Sequence, residues 1–245
     1  MPTLGGTGVP MVLETPRILA LVARAQRADP SVPVLIRGEA GVGKDTLARL
    51  IHAATARPPH CFIKVNCAGQ PEDKVAVDLF GHEKGAGPLA LRRRLGSFEF
   101  ANHGTIYLDK IEALPRLLIP KLLHLLRTGK SSRAGGREIL WVGGRVVAST
   151  EQSGPTGGND DLWQELRCLN AVELWLPPLR QRMDEVPSFV AFFLEQFNPW
   201  HRRDIRLCPE AMTTLMERSW PGNIRELAET VHRLAAGRAM SPVHN

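Results

Sequence analysis

Gly38-Glu39-Ala40-Gly41-Val42-Gly43-Lys44 is where the residue types and their spacing point most directly to a chemistry. Glycines at this spacing let the backbone curl until several N–H groups converge on one anion. Lys44 adds a positive charge for the β- and γ-phosphates of a nucleotide. A helix opening at Lys44 would contribute the positive end of its dipole. The residue after such a lysine is usually Ser or Thr, whose hydroxyl helps hold magnesium; here Asp45 follows, and then Thr46.

This loop works only between a strand and a helix, and the pattern around it supplies both. Val32 to Ile36 is a short apolar run that stops at Gly38, and Asp45 to Ala54 has helical spacing. Before them, Ile18 to Ala28 carries apolar residues at helical intervals. Phe62 to Val65, Thr105 to Leu108, Arg145 to Ala148 and Val172 to Leu176 are further strand candidates, with a leucine-faced helix over Leu117 to Arg127 that tolerates Pro120 near its start. Strands alternating with helices predict an α/β fold, a parallel sheet sandwiched by helices. After Pro177-Pro178 only helical periodicity remains, over Asp184–Phe197, Pro209–Arg218 and Asn223–Ala236. The expected division is a nucleotide-binding core over 1–178 and a small all-α lid over 179–245.

Composition narrows the class. The chain has 245 residues, 43% hydrophobic and 23% charged, an ordinary globular balance that excludes bulk disorder. No apolar run approaches the roughly 20 residues of a membrane helix. Met1 to Pro10 reads as a flexible lead with no secretory signal, so a cytoplasmic setting is expected. The net charge of +6 is spread out, with Arg92-Arg93-Arg94 the only basic triplet, and does not by itself argue for DNA binding. Cys61, Cys67, Cys168 and Cys208 form no CxxC and no zinc spacing, which suits reduced thiols.

The phosphate loop followed by an acidic residue resembles the AAA+ domain of bacterial enhancer-binding regulators, which activate sigma-54 RNA polymerase. Val65-Asn66-Cys67-Ala68, Leu79-Phe80-Gly81-His82-Glu83-Lys84-Gly85-Ala86, Gly96-x-Phe98-Glu99-x-Ala101 and Gly104-Thr105-x-x-Leu108-Asp109 continue in register. Arg133-x-Gly135-Gly136, Leu176-Pro177-Pro178-Leu179-Arg180 and Trp220-Pro221-Gly222-Asn223-Ile224-Arg225-Glu226-Leu227 extend the resemblance to roughly Pro10–Ala236. It implies an AAA+ P-loop core with a helical lid, a ring oligomer (usually a hexamer) with ATP or ADP between subunits, Mg2+ organised by Asp109, a sensor arginine at Arg225 and an intact hinge ending at Arg180.

The sequence departs from that pattern at particular places. The sigma-54 contact loop normally reads GAFTGA; here it is Gly85-Ala86-Gly87-Pro88-Leu89-Ala90, without the gripping aromatic and threonine. The Walker B acidic pair is Asp109-Lys110, so the carboxylate that would polarise water is a lysine. Asn66, which in the family communicates with that carboxylate, loses its partner. The sensor I asparagine is Glu151, and a swapped ion pair between Lys110 and Glu151 is one expectation, two independent surface charges the other. The segment that carries the arginine fingers is Leu162-Trp163-Gln164-Glu165-Leu166-Arg167-Cys168-Leu169, one residue short, with Trp163 at the first arginine's place and Arg167 a possible substitute for the second.

The retained residues are those that bind nucleotide, and the altered ones those that cleave it or transmit force. The first reading is therefore a regulator module that binds ATP or another nucleotide as a ligand, with weak or no hydrolysis and no direct sigma-54 activation. The resemblance adds cyclic di-GMP as a ligand option. The alternatives are an active ATPase using Glu151 and Arg167, and a scaffold that binds no nucleotide. The chain ends too soon after the last helix for a helix-turn-helix, so DNA contact is expected only through modules absent from this chain or through a partner, and contact with RNA polymerase or its sigma factor only indirectly.

Overall fold

The computed structural model describes residues 15–55, 61–87, 90–151, 160–201 and 205–237. The expected lead at Met1–Pro10 and the contact-loop residues Pro88 and Leu89 lie outside them.

Helix α1 (Pro16–Arg27) leads into β1 (Val34–Arg37), the phosphate loop and α2 (Lys44–Thr55). Then come β2 (Phe62–Asn66), α3 (Glu72–Phe80), β3 (Gly81–His82), β4 (Arg94–Leu95), α4 (Ser97–Phe100), β5 (Thr105–Asp109), α5 (Ile119–Thr128), β6 (Lys130–Ser131), β7 (Leu140–Trp141) and β8 (Arg145–Thr150). Helix α6 (Asp160–Cys168) and β9 (Val172–Trp175) complete the α/β part, and α7 (Val186–His201), α8 (Pro209–Met216) and α9 (Asn223–Ala235) follow. Strands β2-β5-β8-β1-β9 form one parallel sheet in that order.

The sheet is buried on both faces, because successive side chains point opposite ways. Val34, Ile36, Tyr107, Val147 and Leu174 pack with Ile18, Val22 and Ala25 of α1 and Leu47 and Ile51 of α2. Leu35, Val65, Ile106, Leu108, Val146 and Ala148 face α3, α5 and α6 on the other side. The αβα sandwich read from the strand–helix alternation is the fold observed. A separate cluster, including Leu179, Val186, Phe189, Leu215, Trp220, Leu227 and Val231, holds the last three helices together.

Several elements were invisible in the periodicity. Helix α3 is short and opens after Pro71, with Glu72 and Asp73 in its first turn. The two-residue ladders β3–β4 and β6–β7 are too short to show alternation. Pro120 sits in the first turn of α5, where its missing N–H costs nothing. Strand β1 starts at Val34, later than the apolar run that begins at Val32. Arg145, buried at the start of β8, donates to the carbonyls of Ala25 and Ala28 at 2.8 and 3.0 Å and so ties down the C-terminal end of α1.

Candidate functional site

The phosphate loop runs from the C-terminal edge of β1 to the N-terminus of α2, as its sequence context requires. Gly41 and Gly43 have φ of +75° and +99°, a region that side chains rarely adopt. A Cβ on Gly41 would meet the Gly222 carbonyl oxygen at 2.4 Å, so the loop must also be bare for the lid to approach. Lys44 is buried, and its Nζ donates to the Gly38 and Glu39 carbonyls at 2.8 Å each. Burial pulls its pKa down, partly opposed by the carboxylates of Glu151, Asp109 and Glu112.

The lid is latched to the loop. Arg180 donates to both oxygens of Glu39, at 2.9 and 2.6 Å. Asn223, fully buried with φ +56°, donates to Glu39 Oε2 at 3.1 Å and the Ala40 carbonyl at 2.9 Å, and accepts from the Leu179 N–H at 2.7 Å. Hydrogen bonds from Arg180 and then Asn223 bring the Glu39 carboxyl down to about 2. Arg182 donates to the Val42 carbonyl at 2.6 Å and pairs with Glu185 at 3.3 Å. Arg225 is exposed, its Cβ 3.2 Å from where a Gly41 Cβ would stand, so it rises from the lid beside the phosphate loop.

Between α1, the loop and the lid lies a narrow cleft lined by Ile18, Val42, Leu47, Leu50, Leu176 and Ile224, together with Gly43, Thr46 and Arg182. Its lining is mainly apolar and it lies next to the phosphate loop. The sequence reading missed Ile18, Leu176, Arg182 and Ile224, because residues 206 positions apart meet only across the core–lid seam.

Asp109, at the end of β5, lies in the middle of the charge network. Its Oδ1 accepts from Ser149 Oγ at 2.8 Å and from the Tyr107 hydroxyl at 3.3 Å. Its Oδ2 faces Lys64 Nζ at 3.1 Å, and the same ammonium reaches Asp45 Oδ1 at 2.6 Å. Burial would raise the Asp109 pKa, but hydrogen bonds from Ser149 and Lys64 outweigh it and hold it low. Asp45 and Asp109, which the sequence separates by 64 positions, thus converge on one cation. Two carboxylates with hard oxygen donors that already enclose an ammonium fit a magnesium ion, which is usually held by one or two carboxylates and substrate phosphates. Among the described residues no group of three or more His, Cys, Asp or Glu side chains could hold a metal, so phosphate oxygens would have to complete such a shell.

Lys110 sits beside this centre in the left-handed region, φ +57°, its N–H donating to Ser149 Oγ at 3.3 Å. Its Nζ lies 3.7 Å from Glu151 Oε1, which is also 4.0 Å from Lys44 Nζ. The swapped pair is therefore formed, and it touches the phosphate-binding lysine. Asn66 is brought opposite Asp109 by strand pairing, but its Oδ1 accepts from the Ala68 N–H at 3.0 Å and closes the turn after β2.

Trp163 is buried at 2% exposure, its ring 5.0 Å from the Arg37 guanidinium, and cannot reach a neighbouring subunit. Arg37 in turn pairs with Glu173 at 3.1 Å. Arg167 is exposed on α6. Around the contact loop, Gly85 N–H donates to the Ala90 carbonyl at 2.8 Å and Glu83 N–H to the Ala134 carbonyl at 3.0 Å. Arg133 anchors that base: nearly fully buried, it pairs with Glu83, Glu99 and Glu138. The four cysteines are free, and burial pushes the Cys67 thiol up to about 12. No helix among the described residues is long and apolar enough to cross a membrane.

A parallel AAA+ sheet, a phosphate loop closed by a helical lid, and an acidic strand end define a P-loop nucleotide-binding module. The sigma-54 interaction domain family matches residues 11–165 and the AAA+ ATPase lid domain family residues 180–243. This chain belongs to the sigma-54 interaction domain family. It is 39% identical over 230 residues to the regulatory protein AtoC of Escherichia coli K12, covering 93% of this chain and 49% of that protein. It is 38% identical over 229 residues to the Nif-specific regulatory protein of Klebsiella pneumoniae, covering 89% and 42%. The crystal structure of NtrX from Brucella abortus in complex with ADP superposes with a TM-score of 0.77 at 29% identity, covering 96% of this chain and 54% of that one. NtrX in complex with ATP gives 0.75 at 29% identity, covering 94% and 54%. The chain spans about half the length of the relatives it matches.

Proposed function

We propose that this chain is the nucleotide-binding module of a bacterial transcriptional regulator, and that it holds ATP or ADP as a governing ligand and hydrolyses ATP weakly or not at all. Gly38, Gly41, Gly43 and Lys44 take the phosphates, the apolar cleft takes the base, and Arg225 and Arg180 couple the lid to what is bound. Asp109 and Asp45 would hold a Mg2+ ion brought in with the nucleotide, which would screen the phosphate charge. The observation that carries the reading is the Lys110–Glu151 pair at 3.7 Å, which puts an ammonium where a water-polarising carboxylate would stand. A protonated lysine cannot take a proton from water, and a missing general base costs roughly 10²–10⁴-fold in rate.

The family's ring assembly is proposed for this chain too, with nucleotide occupancy controlling association. Gly87, Pro88 and Leu89 in place of the aromatic, threonine and glycine argue that sigma-54 is not gripped directly, and DNA contact is assigned to modules outside these residues. A pull-down with sigma-54 in which the wild-type loop binds as well as a G87F/P88T/L89G variant would remove that part.

Titration of ATP with magnesium into the chain at high concentration, followed by calorimetry, tests the whole reading. A saturable heat with a flat baseline is expected, repeated with ADP. A sustained heat proportional to ATP would make the chain an ordinary ATPase; absence of binding by calorimetry and by a fluorescent nucleotide would leave a scaffold.

A further inference from the structure

Lys64 lies on β2, outside every motif that marks the phosphate site, yet its ammonium is the group that brings the site's two carboxylates together. It is 2.6 Å from Asp45 Oδ1 and 3.1 Å from Asp109 Oδ2, and it lies 5.6 Å from the centre of the Tyr107 ring. Asp45 stands at the position where a phosphate loop usually offers a magnesium ligand, and Asp109 ends the acidic strand. The ammonium therefore bridges the two protein positions a divalent ion would use. Strand register makes this geometry: Lys64 pairs with Tyr107, one layer in from the Asn66–Asp109 pair, so its long stem runs along the sheet toward the acidic strand end. Its side chain is about one-third exposed (36%), so it can swing out to water without breaking the core.

We propose that Lys64 is a resident counter-cation that bars a bare divalent ion from the Asp45–Asp109 site, so that metal enters only together with a polyphosphate. Before ligand arrives, the ammonium contacts both carboxylates and offsets one of their two charges, and a dication would have to displace it against direct repulsion at contact distance. A di- or triphosphate changes that balance. Its oxygens supply negative charge both to the metal and to the released ammonium, which then becomes a further phosphate contact. Metal binding and nucleotide binding become mutually dependent, and by linkage each strengthens the other by the same factor. The consequence is that free cellular magnesium does not charge the empty site.

The metal step stands on the carboxylate pair alone; its coupling to nucleotide rests on the function proposed above, and two arms separate them. In the first, Mn2+ is titrated into the nucleotide-free chain and free ion is counted by electron paramagnetic resonance. The wild type is expected to hold no Mn2+ at the site, whereas Lys64→Met and Lys64→Gln, both checked for native circular dichroism, bind it at least about tenfold more tightly, and adding Asp109→Asn to Lys64→Met abolishes the gain. Equal Mn2+ affinity in wild type and variants, or no binding in any of them, overturns the proposal. In the second arm ADP is present. The wild type is expected to gain more Mn2+ affinity from ADP than Lys64→Met does, and an equal gain overturns the coupling. If ADP binds to neither protein, with or without metal, the nucleotide reading falls while the first arm still judges Lys64.

Discussion

Lys110 Nζ lies 3.7 Å from Glu151 Oε1, and that same oxygen is 4.0 Å from Lys44 Nζ. One carboxylate is shared between Lys110, which follows the acidic strand end, and Lys44 of the phosphate loop. Lys110 and Glu151, 41 positions apart in the chain, are thus brought together as an ion pair by the pairing of β5 with β8.

Replacing this pair should restore chemistry. Lys110→Glu alone would set two carboxylates against each other, so Glu151→Asn must accompany it. The double variant is expected to release phosphate from ATP about 10²–10⁴-fold faster than the wild type, the usual worth of a positioned general base. Phosphate release under saturating Mg-ATP measures it, and an unchanged rate would show that the lysine is not what limits turnover.

The latch between lid and loop should be acid-sensitive. Glu39 has its pKa brought from 4.5 to about 2 by Arg180 and Asn223, so its stabilising contribution is complete above about 4.5 and fades as the pH falls toward 2. Fluorescence of Trp220, buried in the lid, should report a loosening over that window. Glu39→Gln should lose this acid limb; an identical pH profile would locate the acid sensitivity elsewhere.

Trp163 is core, not a finger. Trp163→Ala is expected to cost about 3–5 kcal/mol in urea unfolding, as for other buried aromatics. Trp163→Arg, which restores the family's residue type, should destabilise as well, because it forces a second guanidinium beside buried Arg37. A Trp163→Arg protein that is stable and turns over ATP more quickly at high chain concentration would contradict the buried placement.

Arg133→Met should unfold about 3 kcal/mol more easily, the low end for a broken buried ion pair, since its three acidic partners still reach water. Arg133→Lys should recover only part of that, because an ammonium cannot replace a guanidinium that bridges Glu83, Glu99 and Glu138 at once. Chemical denaturation of the three proteins checks the order, and a Met variant as stable as wild type would refute it.

The αβα sandwich was legible because its signals are local: apolar runs of strand length, helical spacing, and a glycine loop between them. Hydrophobic periodicity needs only a dozen consecutive residues to declare itself. The phosphate loop was legible for the same reason, its function lying in contiguous backbone N–H groups. Helix α3 and the two-residue ladders were not, since nothing in so short a span repeats.

The sequence alone therefore determined the strand–helix order and the phosphate-loop pattern, and it singled out Lys110, Glu151 and Trp163 as departures from the family it resembles. Only the tertiary structure decided how the altered charges resolve. Side-chain ion pairs form across strands far apart in the chain, and their partners depend on sheet order and register, which no local spacing encodes. That is why the Lys110–Glu151 pair could be anticipated only as one of two outcomes, why Trp163 turned out to be buried against Arg37, and why Lys64, inconspicuous in its strand, emerged as the cation shared by Asp45 and Asp109.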